Sequence, residues 1–205
     1  MVTRFPLALA TIVSVALAPA AFAQEPPPAT EVGASLLALV NLPAKGGAML
    51  TVTSPAFSSR GDIPFENTQY HGNVFPGLAW TAGPSATKSY VVIVQDGDAM
   101  SRGAPIFHWS MVNIPASITQ LPAAMASPPA GAEYGPNIRG AAQSYMGPRT
   151  PAGPRHRYHF QVFALDTRIG DPAPADYAAL SEAIKGHVVA SGEVVGLGRK
   201  PEVAP

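Results

Sequence analysis

Four consecutive apolar β-branched residues, Val91-Val92-Ile93-Val94, leave the chain little choice of fold. Successive side chains of an extended strand point to opposite faces, so a run with no polar alternate has to be covered on both sides. Branching at Cβ restricts χ1 in a helix and suits a pleated surface, which favours the strand. The run is therefore read as the middle strand of a sheet with an apolar layer on each face. A composition that is 47% hydrophobic can supply those layers. Residues 49–53, 78–80, 107–114 and 157–165 are read as further strands, and 89–95 as the one that carries the tetrad.

One stretch, 173–190, has helical spacing at Tyr177, Leu180, Ile184 and Val188, with Asp171 and Asp176 near its start, where they favour the helix dipole. Between the strands the chain is rich in turn formers, with 23 Pro and 19 Gly. The expectation is a mainly β domain with few helices, one of them near the C-terminus. Residues 120–154 show no sustained period, and so long a segment inside a domain is read as a functional loop, here a pocket wall ahead of the last predicted strand.

Arg4 followed by an apolar run over residues 5–20 and then Ala21-Phe22-Ala23 has the order of a cleaved signal peptide over residues 1–23. A retained span is the rival reading, since the run approaches the roughly 18 to 20 residues that cross a bilayer, but the small-x-small ending favours cleavage. Residues 24–30, with Pro26-Pro27-Pro28, are read as a flexible lead-in and 31–205 as a single domain. The expected location is periplasmic or secreted, with no membrane anchor left after cleavage. Thirteen basic and 13 acidic residues balance, which argues against a nucleic-acid partner or an anionic-membrane surface, since both need a basic face. Zero cysteines exclude disulfides, thiolate metal sites and a lipidated thiol.

Four polar residues fall in or beside apolar strands. Asp96-Gly97-Asp98 follows the central strand, and two carboxylates two apart in extended chain would point to one side. His108 sits in Phe107-His108-Trp109, where burial obliges its ring to find a partner, with a nearby Asp as the obvious acceptor. In His156-Arg157-Tyr158-His159, alternation puts His156 and Tyr158 on one face and His159 on the other, which weakens a metal site made of both histidines. Met100 breaks a calcium-loop pattern. No Gly-x-Ser-x-Gly elbow occurs, and Asp96 and Asp98 are too close in sequence to flank a sugar.

These residues resemble the phosphatidylethanolamine-binding protein family, and within it the bacterial Raf-kinase-inhibitor-like branch. Asp96-Gly97-Asp98-Ala99-Met100 is similar to the Asp-Pro-Asp-Ala-Pro signature, and Gly153-Pro154-Arg155-His156-Arg157-Tyr158 to Gly-x-x-His-Arg-Tyr. Ile63-Pro64, Gly72 to Trp80, His108-Trp109 and Ala183 to Val188 follow in the family's order. The resemblance implies an antiparallel β-sandwich with a few short helices and a small anion-accepting pocket at Asp96, Asp98, His108, His156 and Tyr158, with Tyr145 and Pro148 at its rim. It implies a non-enzymatic protein that needs no cofactor and binds phosphate or a phospholipid headgroup, with a protein partner that it inhibits or modulates as a further role. The rival is a metal-assisted hydrolase using Asp96, His108 and His156. Gly97 and Met100 replace the two prolines of the first signature, so a looser turn is expected there. Phe75 stands where serine is common.

Overall fold

The computed structural model describes residues 26–140, 144–170 and 174–202, besides Met1. The signal-peptide reading falls on residues outside the described set. Of the lead-in, residues 26–30 are described, and Pro28 is tied to the domain: its carbonyl accepts from the Arg157 guanidinium.

The central tetrad lies in β3 (Ser89–Ser101), which pairs antiparallel with β4 (Ala104–Pro115) on one side and β7 (His156–Leu165) on the other. Val94 faces Trp109 across one ladder and Phe160 across the other. Two outer strands, β6 (Glu133–Tyr134) and β8 (Val188–Gly198), complete a five-stranded sheet in the order β6-β4-β3-β7-β8. A second sheet has three short antiparallel strands in the order β1 (Val52–Thr53), β2 (Leu78–Trp80) and β5 (Gln120–Leu121). The two sheets face one another as the expected sandwich. Helices α1 (Ala38–Asn41) and α2 (Tyr177–Ile184) cover the other face of the larger sheet.

This arrangement accounts for the tetrad. Tyr90, Val92 and Val94 point into the core between the sheets, with Trp80, Trp109, Met111, Tyr158 and Phe160. Val91 and Ile93 point the other way, against Phe163, Leu165, Leu180 and Ile184. All ten residues of β7 are buried for the same reason. Two layers of apolar cover, one on each face, make this strand the least replaceable part of the chain.

Two glutamines of the large sheet enter the outer layer and bond the start of α1. α1 has no side-chain cap at Leu37, and its first N–H groups are met from the sheet beneath. Gln95 Oε1 accepts from Ala38 N at 2.8 Å and from Gln161 Nε2 at 2.9 Å, while Gln161 Oε1 accepts from Leu39 N at 2.6 Å. The β3–β4 turn is equally determined locally, since Arg102 and Gly103 both take positive φ, as a two-residue hairpin of right-handed twist requires.

Two expectations need correction. The helix predicted over 173–190 is confined to Tyr177–Ile184, capped by Asp176, whose carboxylate accepts from Ala179 N at 2.9 Å. Gly186 in the left-handed region turns the chain, and Val188 begins β8, which supplies β7 with its outer hydrogen-bonding partner. Pairing of a buried strand thus overrides helical spacing. The strand predicted at 49–53 is ordered as a strand only at Val52–Thr53, although Leu50 N donates to Ser191 O at 2.8 Å. Asp171 lies outside the described residues.

Ile93→Ala should lower the unfolding free energy by about 2–5 kcal/mol, through lost burial and the cavity left behind. Val40→Ala, at a position 55% exposed, should stay within about 0.5 kcal/mol. Urea denaturation of both variants measures the contrast.

Candidate ligand-binding site

β3 remains paired to Asp96, opposite Ile106 and Tyr158, and its register on β4 then shifts before Met100. That shift breaks extended alternation, so the two carboxylates do not point to one side as expected. Asp96 is 2% exposed; its Oδ1 accepts from Asp98 N at 2.9 Å, closing the turn, and its Oδ2 lies 2.8 Å from His156 Nδ1. Asp98 turns instead to β7, where its Oδ2 accepts from Arg157 N at 2.8 Å and stands 3.2 Å from Arg157 Nε.

Asp96 and His108 line a cleft of about 330 Å³, at the small end of the ligand-pocket range. Its other polar walls are Gln69, Arg139 and Arg149, and its apolar ones include Ile106, Ile138, Met146 and Pro151. Arg139, Met146, Arg149 and Pro151 all come from the unpatterned stretch 120–154, which does form the predicted wall. Neither arginine was singled out from sequence, although two cations in a Pro- and Gly-rich loop ahead of the His156 strand were a readable signal.

His108 is 6% exposed and finds a different partner from the carboxylate expected for it. Its Nδ1 lies 3.0 Å from Gly147 O, and a carbonyl can only accept, so Nδ1 carries the hydrogen. Burial holds His108 below the ordinary imidazole range, outweighing the Asp96 charge and the Gly147 carbonyl. It is thus a neutral ring with a lone pair at Nε2. The edge of Tyr158 supports it, with ring centroids 5.2 Å apart.

His156 is the opposite case. Burial alone would favour the neutral form, but the hydrogen bond and charge of Asp96, with the charge of Asp98, raise its pKa. With Nδ1–H given to Asp96, the protonated ring would carry a second N–H at Nε2. His156 does not itself line this cleft and is joined to it through Asp96, and the partners of the two imidazoles shift their pKa values in opposite directions.

Tyr158 is wholly buried, in the core between the sheets. Its hydroxyl lies 3.1 Å from Thr150 Oγ1 and accepts from Arg149 N at 3.3 Å, and burial together with the Asp96 charge keeps it un-ionised. Tyr145 is not on this rim: it lines a neighbouring cleft with Asn73 and Phe75, and its hydroxyl donates to Asn67 O. Pro148 is buried beside the cleft and acts through its carbonyl, which accepts from Gln69 N at 2.9 Å. Phe75 is a core residue, packed on Trp109 and Tyr145. Asp96 bonds His156, and His108 bonds Gly147 O. Among the described residues no three His, Cys, Asp or Glu side chains stand where they could hold an ion together.

The phosphatidylethanolamine-binding protein family model matches residues 53–199 of this chain. A UPF0098 protein of Methanothermobacter thermautotrophicus is 34% identical over 154 residues, 74% of this chain and 99% of the relative. The UPF0098 protein YbcL of Escherichia coli is 36% identical over 129 residues, 60% of this chain and 67% of YbcL. Among solved structures, that of E. coli YbcL, described as a new member of the mammalian PEBP family, superposes with a TM-score of 0.68 at 29% identity. It covers 75% of this chain and 100% of that one. CT736 of Chlamydia trachomatis gives a TM-score of 0.67 at 29% identity, over 75% of this chain and 99% of that one. The matched span holds β2 through β8 and every residue of the cleft, and the chain belongs to the phosphatidylethanolamine-binding protein family.

Proposed function

We propose that this is an exported, non-enzymatic binding protein that takes up a small phosphorylated anion, phosphate or a phosphoethanolamine-like headgroup, in the Asp96–His108 cleft. The observation that carries the reading is the split between the imidazoles. His156, whose pKa Asp96 raises, donates a charge-assisted hydrogen bond in its protonated form, while neutral His108 accepts a hydrogen bond from a P–OH of a phosphate monoanion. Arg139 and Arg149 add cationic charge at the mouth. The Asp96 carboxylate adds an acceptor for an ammonium group, and the apolar walls suit the carbons of a headgroup. Export is inferred from residues 1–23.

Histidine-selective NMR on the full mature chain tests the reading. Inorganic phosphate and phosphoethanolamine should each move the His108 and His156 imidazole signals, and the absence of any shift at either ring refutes it. His156→Gln should weaken phosphate binding about tenfold, the loss of one hydrogen bond to a charged group. Arg149→Ala, at an exposed position, should cost only a few-fold.

Affinity should also depend on pH. His156 has a raised pKa, so its donating form is fully present below the ordinary imidazole range and is lost as pH rises through the raised value. Isothermal titration calorimetry with phosphate should show affinity falling across that window in the wild type. His156→Gln should retain only the change due to phosphate's own ionisation.

A further inference from the structure

Opposite the cleft, on the helix-facing side of the large sheet, five charged side chains from four segments are packed together. His159 on β7 is 5% exposed and lies between two carboxylates: Nε2 is 2.6 Å from Glu31 Oε1 and Nδ1 is 2.8 Å from Glu193 Oε2 on β8. The Glu193 contact is a hydrogen bond and the Glu31 contact an ion-pair distance without hydrogen-bond alignment, and against burial both carboxylates raise the pKa of the ring. Arg157 completes the group. Its Nη1 is 3.1 Å from Glu31 Oε2, its guanidinium donates to Pro28 O, and its Nε and backbone N meet Asp98. Glu31 therefore joins a segment that precedes the first strand to Arg157, the neighbour of His156, and Arg157 in turn meets Asp98.

The segment is fastened to the turn itself as well. Gly33 N donates to Gly97 O at 2.9 Å. Gly97 is not in the left-handed region, so its need for glycine is spatial: a Cβ there would stand 1.8 Å from Glu31 Oε1. The departure that suggested a looser turn has the opposite effect. Proline or any side chain at 97 would occupy the place of the Glu31 carboxylate, and with glycine the turn gains an ion-paired strap over its back. Glu31 lies outside residues 53–199, the span matched by the family model.

We propose that Glu31 is a positioning residue for the cleft: its carboxylate, lodged over Gly97, holds Arg157, which in turn binds Asp98, and so fixes the Asp96–Gly97–Asp98 turn and the Asp96–His156 pair. The chain of contacts is continuous from Glu31 to Arg157, to Asp98 Oδ2, from Asp98 N to Asp96 Oδ1, and from Asp96 Oδ2 to His156. The charges that act most on His156 are those of Asp96, Asp98 and Arg157, so Glu31 reaches it through the turn. The consequence for ligand affinity rests on the reading of the cleft given above; the consequence for His156 does not.

The test is the titration of His156 in ligand-free full mature chain, followed by NMR, beside phosphate affinity by calorimetry. Gly97→Ala leaves every charge in place but displaces the Glu31 carboxylate. It should lower the His156 midpoint by about half a pH unit and weaken phosphate about threefold or more, within the usual range for coupled sites. Glu31→Gln should do the same. In a Glu31→Ala background the clash is gone, and adding Gly97→Ala should change neither readout. Should the Gln variant fail to fold, Glu31→Asp, which keeps the charge but shortens its reach, must move His156 in the same direction. Folded Gly97→Ala and Glu31→Gln proteins with an unmoved His156 midpoint overturn the proposal. A wild type that binds no phosphate defeats the reading of the cleft, and the His156 midpoint still decides the role of Glu31.

Discussion

Burial of β3 on both faces is the constraint from which the rest of the molecule follows. Val92 and Val94 require the small sheet opposite them, and Val91 and Ile93 require the helices behind. With each ladder position taken by β4 or β7, the strand has no freedom to slip, because a shift by one residue would exchange its two apolar faces and misplace its polar end. That polar end is the site. Where the apolar run stops, Gln95 turns outward to α1 and Asp96 turns inward to the cleft, so the same pleat that builds the core also sorts the first two polar side chains to opposite sides of the sheet.

The cleft is an electrostatic arrangement more than a shape. His108 in its wall and His156 behind Asp96 start from the same intrinsic basicity and are separated by their partners: a carbonyl and deep burial for His108, a carboxylate for His156. A buried carboxylate is costly unless bonded, and Asp96 is bonded twice, by the Asp98 amide and by His156. The ligand-facing chemistry therefore depends on the turn holding its form. The cluster of Glu31, Arg157, His159, Glu193 and Asp98 lies behind that turn, on the side away from the ligand.

Much of this was legible in the residues themselves. A continuous apolar tetrad reports two-sided burial, and period-two alternation separated His156 and Tyr158 from His159, because both signals are local properties of extended backbone. The mainly β class and the late helix followed from the same periodicities. Alternation misled at Asp98, where the chain leaves the ladder and extended geometry no longer applies. Helical spacing misled at Val188, where an unpaired neighbour strand was the stronger demand. Tyr145 misled because a loop residue near a site in sequence can line the adjoining cleft instead.

By itself the sequence determined which segments must be buried, which polar residues end them and which of those share a face, since these depend on the residue's own chemistry and on the repeat of the strand. Only the tertiary structure decided what each polar group bonds to, because a partner may lie anywhere in the chain. Gly147 for His108, Arg149 for the mouth of the cleft and Glu31 for the back of the Gly97 turn are all far from their partners in sequence. Gly97 shows the difference most plainly: as a residue it implies freedom, and in the fold it is the space into which a carboxylate fits.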